Sequence, residues 1–170
     1  MGIDLLLNLS EKIRKNVEHL PEFISSNTIA SYVATKEEVQ TEQIIRDALN
    51  QGKRVLVPKI ISRNELLFSE IKDLADLETG TFGLLEPKPQ LIREVPLREA
   101  NLILVPMVAW DERGYRVGHG NAYFDSALSG ITCLTVGLGL EAQRTDRIPE
   151  ERHDIPLKMI ITENRILRSG

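Results

Sequence analysis

Two short apolar runs, RVLVP (Arg54 to Pro58) and NLILVP (Asn101 to Pro106), each end on a proline. Proline has no backbone N–H to give to a ladder, so it closes a central strand, and both runs are predicted as short buried strands. The segments around them carry a different period. Ile13, Val17 and Leu20 recur at helical spacing before Pro21, and TEQIIRDALNQGK sets Ile44, Ile45, Ala48 and Leu49 on one face with Gly52 placed to stop the helix. TIASYVA (Thr28 to Ala34), LLFSEI (Leu66 to Ile71), TCLTVGLGL (Thr132 to Leu140) and MIITE (Met159 to Glu163) read as further strands. Helical segments alternating with extended ones predict an α/β layer fold with a largely parallel sheet. TGTFGLLEPKP (Thr79 to Pro89), with two glycines and two prolines, is expected to be an ordered loop over the surface.

A chain of 170 residues that is 42% hydrophobic can bury one sizeable core, and a single domain over 1–170 is expected. A net charge of -4 and a pI near 5.5 argue against a general nucleic-acid or anionic-membrane binder, since both need a broad basic surface. Any anion is then held locally. One cysteine, Cys133 in the apolar stretch Ile131 to Val136, allows no internal disulfide and no cluster of several thiolates, which suits a reducing, cytoplasmic setting. Ile3 to Leu7 is too short to span a bilayer and no basic region precedes it, so it is expected to start an amphipathic helix, with no membrane partner.

RGYRVGHGNAYFD (Arg113 to Asp125) packs three glycines, two arginines, a histidine and three aromatics into thirteen residues just beyond the strand that ends at Pro106. In open α/β sheets ligands sit where strands deliver their carboxyl ends. Glycines there let backbone N–H groups approach a phosphate, the start of a helix at NAYFDSAL adds its positive end, and Arg116 can offer a bidentate contact. A long turn whose glycines only satisfy backbone torsions is the alternative.

LILVPMVAWDERGYRVGHGNAYFD resembles the signature of the 5-formyltetrahydrofolate cyclo-ligase (methenyltetrahydrofolate synthetase) family. EEVQTEQIIRDALNQGKRVLVPK, TFGLLEP, VGLGLEAQ and RHDIP followed by MIITE fall in that family's order, from about Ser10 onward. The resemblance implies a three-layer α/β/α fold with a mostly parallel central sheet, NagB/RpiA/CoA-transferase-like. It implies an ATP- and Mg²⁺-dependent enzyme, in which ATP phosphorylates the formyl oxygen of 5-formyltetrahydrofolate, N10 attacks the activated carbon, and loss of phosphate leaves the 5,10-methenyl product. Partners would be that folate and ATP, with a monomer expected and no nucleic acid.

Carried over by position, the resemblance gives Arg116, Gly118, His119, Gly120, Asn121, Ala122 and Tyr123 to the nucleotide phosphates, with Arg116 and Tyr123 as the catalytic pair. Asp125 would help to place the metal. Glu38 would hydrogen-bond the pterin ring, with Phe82 over it and Tyr123 also near the substrate. Plainer roles fit some of these residues too: Glu38 as a helix N-terminal acid, Phe82 as a loop anchor, Asp125 as a helix cap. His153 and Asp154 match a family step read mainly as structural, and Trp110 is expected beneath the loop. His119 stands where the family commonly has an arginine, and Asn121 and Ala122 stand where it commonly has glycines. A divergent homologue that binds a nucleotide, folate or related metabolite without catalysis is therefore the alternative. Met107, where the family commonly has glycine, is expected to fill part of the folate pocket.

Overall fold

The apolar stripe of the first segment runs farther than its three strongest positions suggest. In a computed structural model, which describes residues 1–80, 83–118 and 123–169, Leu6, Ser10, Ile13 and Val17 form the buried face of a helix, α1 (Ile3–Glu18). Pro21 opens a second short helix, α2 (Pro21–Ser25), where its missing N–H costs nothing. The chain then runs β1 (Thr28–Ser31), α3 (Glu42–Asn50), β2 (Arg54–Ser62), β3 (Glu65–Ile71), β4 (Leu77–Thr79) and β5 (Leu85–Pro87). After these come β6 (Leu102–Pro106), β7 (Ala109–Trp110), β8 (Arg116–Val117), α4 (Tyr123–Leu128), β9 (Leu134–Leu138), β10 (Met159–Ile161) and β11 (Ile166–Arg168). Gly52 ends α3 as predicted. At φ +81° its N–H donates to the Leu49 carbonyl at 3.0 Å and the next N–H, of Lys53, to that of Ala48 at 3.0 Å, which satisfies the last carbonyls of the helix.

Seven strands form the central sheet in the order β11-β10-β9-β6-β1-β2-β3, with parallel pairing from β10 through to β2 and an antiparallel strand at each edge. Alternation along the strands divides the core into two. Ile29, Val55, Val57, Leu102, Leu104, Val136, Met159 and Ile161 point to the face covered by α1, α2 and α3. Ala30, Leu56, Ile103, Val105 and Ile160 point to the other, where Trp110, Leu128 and Leu157 cover them from α4 and the long connections. Both faces of the parallel strands are thus dry, which is why these runs read as continuously apolar. Among the described residues, no helix is long and apolar enough to cross a membrane.

The strand from Arg54 does not close at Pro58. Its pairing with β1 ends at Leu56, and from there it continues as a hairpin with β3 in which Pro58 lies opposite Phe68. A proline is tolerated there because β2 has outrun its other neighbour. The strand from Thr28 stops at Ser31, so Tyr32 to Ala34 lie beyond it. The segment expected to be a surface loop, Thr79 to Pro89, instead contains β5, which pairs with β4 just before it as a two-stranded ribbon in which Glu78 lies opposite Glu86. The strand predicted from Thr132 begins only at Leu134, which leaves Cys133 half-buried outside it.

Candidate active site

A change of direction in the strand order locates the cavity. The chain moves from β1 to β2 on one side, then places β6 on the other side of β1, and ligands in open α/β sheets bind outside the carboxyl ends of the strands at such a reversal. A cavity of about 310 Å³ lies there, lined by Tyr32 and Val33 just beyond β1 and by Pro106 at the end of β6. Pro58 and Ile60 of β2, Leu66 of β3, Leu84, Leu85 and Glu86 of the ribbon, and Tyr123 and Phe124 of α4 add a mostly apolar wall. Phe124 is held by an edge-to-face contact with Phe68, centroids 6.5 Å apart.

Glu38 reaches the cavity from the connection between β1 and α3 and is 6% exposed. Its Oε1 accepts the Thr35 N–H at 2.8 Å, and the Gln40 side chain donates to the carbonyls of Thr35 at 2.7 Å and Glu38 at 2.8 Å. The Gln40 N–H donates to Ser10 Oγ at 2.9 Å, which ties this turn to α1. Tyr32 anchors it from below by donating its hydroxyl to the Val39 carbonyl at 2.7 Å, and burial pushes that phenol well above its ordinary pKa.

Arg116 reaches the same cavity from the β7–β8 hairpin. The turn of the hairpin is built on Asp111, a fully buried carboxylate that accepts N–H groups from Arg113 at 2.9 Å and Ile148 at 2.8 Å. Burial pushes the Asp111 pKa up, but these N–H groups and the Arg113 guanidinium outweigh it and hold the carboxyl below its usual range. Gly114 is obligatory in this turn: its φ is +95°, and a Cβ would lie 2.3 Å from the Leu157 carbonyl oxygen. The Arg116 side chain is 6% exposed, and its Nε and Nη2 have no hydrogen-bond partner among the described residues. Asp125 Oδ1 lies 3.6 Å from Nη2, an ion-pair distance without a hydrogen bond. Burial pulls the guanidinium below its ordinary pKa, opposed by the charges of Asp125 and Asp154.

Of the residues singled out from the sequence, Glu38, Arg116, Gly118 and Tyr123 come together around one cavity, and Asp125 stands beside Arg116. Phe82, His119, Gly120, Asn121 and Ala122 lie outside the described residues. Trp110 is fully buried, its Nε1 donating to the Leu140 carbonyl at 2.9 Å. Met107 does not line the cavity. Its thioether fills the space beside Gly137 and Gly139, where a Cβ would lie 2.5 Å from Sδ and 2.5 Å from Cε respectively, so the two glycines of VGLGL make room for it. Glu86, 2% exposed on the cavity wall, was not singled out from the sequence. An acid set between Leu84-Leu85 and Pro87 was the available signal, because a carboxylate inside an apolar run must find buried donors.

The 5-formyltetrahydrofolate cyclo-ligase family model matches residues 4–163. The 5-formyltetrahydrofolate cyclo-ligase of Escherichia coli is 28% identical over 151 residues, covering 86% of this chain and 83% of its own. That of Mycolicibacterium smegmatis is 30% identical over 151 residues, covering 84% and 76%. The solved 5,10-methenyltetrahydrofolate synthetase of Aquifex aeolicus superposes with a TM-score of 0.87 at 32% identity, over 99% of this chain and 84% of that one. A match that runs through both walls of the cavity and every strand of the parallel sheet leaves one conclusion: the chain belongs to the 5-formyltetrahydrofolate cyclo-ligase family.

Proposed function

We propose that this protein converts 5-formyltetrahydrofolate to 5,10-methenyltetrahydrofolate with consumption of ATP. The observation that carries this function is Arg116: a guanidinium 6% exposed, its Nε and Nη2 without a hydrogen-bond partner among the described residues although Asp125 stands 3.6 Å from Nη2, in the wall of the cavity that also holds buried Glu38. Buried N–H groups without hydrogen-bond acceptors are costly, and a phosphate supplies the planar pair of oxygens that a guanidinium fork fits. Glu38 supplies an acceptor for the N–H edge of a pterin, and the apolar lining around Ile60, Leu66 and Phe124 suits the faces of a flat ring.

In the reaction the formyl oxygen forms a bond to the γ-phosphorus as the bond to ADP breaks. N10 then attacks the activated carbon and gives up its proton, and phosphate leaves with the former formyl oxygen and takes up that proton. Arg116 neutralises charge on the transferring phosphoryl group. Tyr123, at the start of α4 and on the cavity wall, would lie against both substrates, and at Gly118 an added Cβ would meet, among the described residues, only Arg116 Nη1 at 3.9 Å. The family resemblance would give His119, Gly120, Asn121 and Ala122 to the phosphates and Phe82 to the ring; all five lie outside the described residues. Among the described residues no three His, Cys, Asp or Glu side chains gather as a metal cage. Mg²⁺ does not need one, because it is commonly held by one or two carboxylates together with substrate phosphates and water. Asp125 would hold it, and the ion would neutralise phosphate charge. A monomer acting in the cytoplasm is part of the same proposal, and its solution mass checks the first half.

The test is direct: purified protein with 5-formyltetrahydrofolate, Mg²⁺ and ATP should form the methenyl product, and omission of ATP should abolish it. Folate binding without ATP-dependent turnover would overturn the catalytic assignment.

A further inference from the structure

β2 outruns β1, so from Val57 onward its far edge has no strand paired with it, and the β4–β5 ribbon lies against that edge without joining the central sheet. An unpaired N–H on a buried strand edge needs an acceptor. The Ile60 N–H finds one in Glu86, whose Oε2 accepts it at 2.8 Å, while Lys59 Nζ stands 3.7 Å from Oε1. A side-chain carboxylate here takes the place of the carbonyl that a paired strand would have offered. The ribbon has also been shaped around this carboxylate: a Cβ at Gly80 would lie 2.2 Å from Glu86 Oε1, and Gly80 does not have a positive φ that would otherwise explain its lack of a side chain. Leu84, Leu85 and Glu86 itself form the cavity wall on this side, while Arg116 and Gly118 enter from the β7–β8 hairpin.

We infer that Glu86 is a positioning residue, clasping the ribbon to the open edge of β2 and so holding Leu84 and Leu85 as the folate-side wall of the cavity. Its effect on folate rests on the proposed function; the clasp rests on geometry alone. A released ribbon loosens the apolar wall and leaves the Ile60 N–H without its acceptor, whereas the arginine that serves the nucleotide sits on a different element. Folate affinity, not ATP affinity, is therefore the property that Glu86 controls.

The experiment compares the full-length protein with Glu86→Ala, Glu86→Gln, Gly80→Ala and the double variant Glu86→Ala/Gly80→Ala, each shown to be folded by circular dichroism. It measures the equilibrium affinity for 5-formyltetrahydrofolate, the affinity for ATP and the hydrogen exchange of the Ile60 amide. Glu86→Ala should weaken folate binding roughly tenfold, as expected when a buried donor loses its acceptor, with ATP affinity within about twofold of wild type. Glu86→Gln keeps an oxygen acceptor and should stay within about threefold, because a neutral hydrogen bond replaces a charge-assisted one. Gly80→Ala should reproduce most of the Glu86→Ala loss, since its methyl displaces the carboxylate, and the double variant should be no worse than Glu86→Ala. The Ile60 amide should be protected in wild type and Glu86→Gln and exchange faster in the other three.

Unchanged Ile60 protection in Glu86→Ala, or unchanged folate affinity in both Glu86→Ala and Gly80→Ala, would overturn the clasp. Loss of affinity in Glu86→Ala and Glu86→Gln alike, with Gly80→Ala unaffected, would overturn it too and make Glu86 a direct folate contact. A wild-type protein that binds no folate would overturn the proposed function, while Ile60 exchange would still decide the clasp.

Discussion

At the scale of single residues, two charged side chains of one hairpin have opposite duties. Asp111 is satisfied and Arg116 is not. Asp111→Ala removes the fully buried acceptor of the Ile148, Arg113 and Tyr115 N–H groups, and is expected to cost about 3 kcal/mol or more by chemical denaturation. Its folded pKa is depressed, so its stabilisation is complete above the unfolded value near 3.8 and is lost as pH falls through the lower folded value. Acid titration of wild type should show that loss, and Asp111→Asn should not. Arg116→Ala removes a buried cation with no hydrogen-bond partner for Nε or Nη2, so the melting temperature should hold or rise, while kcat/KM for ATP falls about ten- to a hundredfold, the factor for a charge-assisted contact. A variant that unfolds with nucleotide affinity intact would make Arg116 structural. Arg116 was visible because a basic glycine loop follows a strand end, whereas Glu38 came only from the family resemblance: local pattern alone offered it as an acid before a helix, and that helix starts at Glu42. The apolar neighbours of Glu86 hinted at its burial, but not at its role, because its partner, Ile60, lies 26 residues away in the chain and the need for an acceptor arises from the unequal lengths of β1 and β2.

Elements were legible where their period was long and illegible where a neighbour decided their end. The α1 stripe and the RVLVP and NLILVP strands follow from local pattern, but the reach of β2 through Pro58 depends on where β1 stops, and no local signal carries that. The ribbon was hidden by the glycines between its strands and by a proline, Pro87, in the second of them. The seam between α1 and α3 shows a similar dependence on neighbours, in its electrostatics. Arg14 bridges Glu18 at 3.3 Å and Asp47 at 3.2 Å, and Gln43 donates to Asp47 at 2.8 Å. Burial, then Asp47 beside it, pushes the Glu18 pKa up to about 7 despite Arg14. A raised folded pKa means that the folded state holds the proton longer, so the stability from Glu18 is complete below the unfolded value of 4.5 and is lost as pH rises to about 7. Glu18→Gln mimics the protonated form. Its melting temperature should match wild type near pH 4, exceed it increasingly up to about pH 7 and level off above that; a difference independent of pH would show that Glu18 does not titrate in this range.

At the scale of the whole molecule, the cavity draws its walls from the entire described chain: Tyr32 and Glu38 near its beginning, Ile60 and Leu66 of the edge hairpin, and Arg116 and Phe124 from the second half. The two apolar cores also share the same strands, Val55 and Leu56 pointing to opposite faces, as do Leu102 and Ile103. Neither face can lose its strands without exposing the other. One cooperative unfolding transition is therefore expected. Because a ligand filling this cavity would touch walls from both halves, its binding energy should stabilise that whole transition. At a free concentration a hundredfold above its dissociation constant, 5-formyltetrahydrofolate should add about 2.7 kcal/mol and raise the midpoint by roughly 5 to 10 °C in scanning calorimetry. Arg116→Ala should leave this folate shift in place and shrink the corresponding shift from Mg²⁺ and ATP. Two transitions, only one of them moved by folate, would instead mean that the sheet comes apart in pieces and that the cavity belongs to one of them.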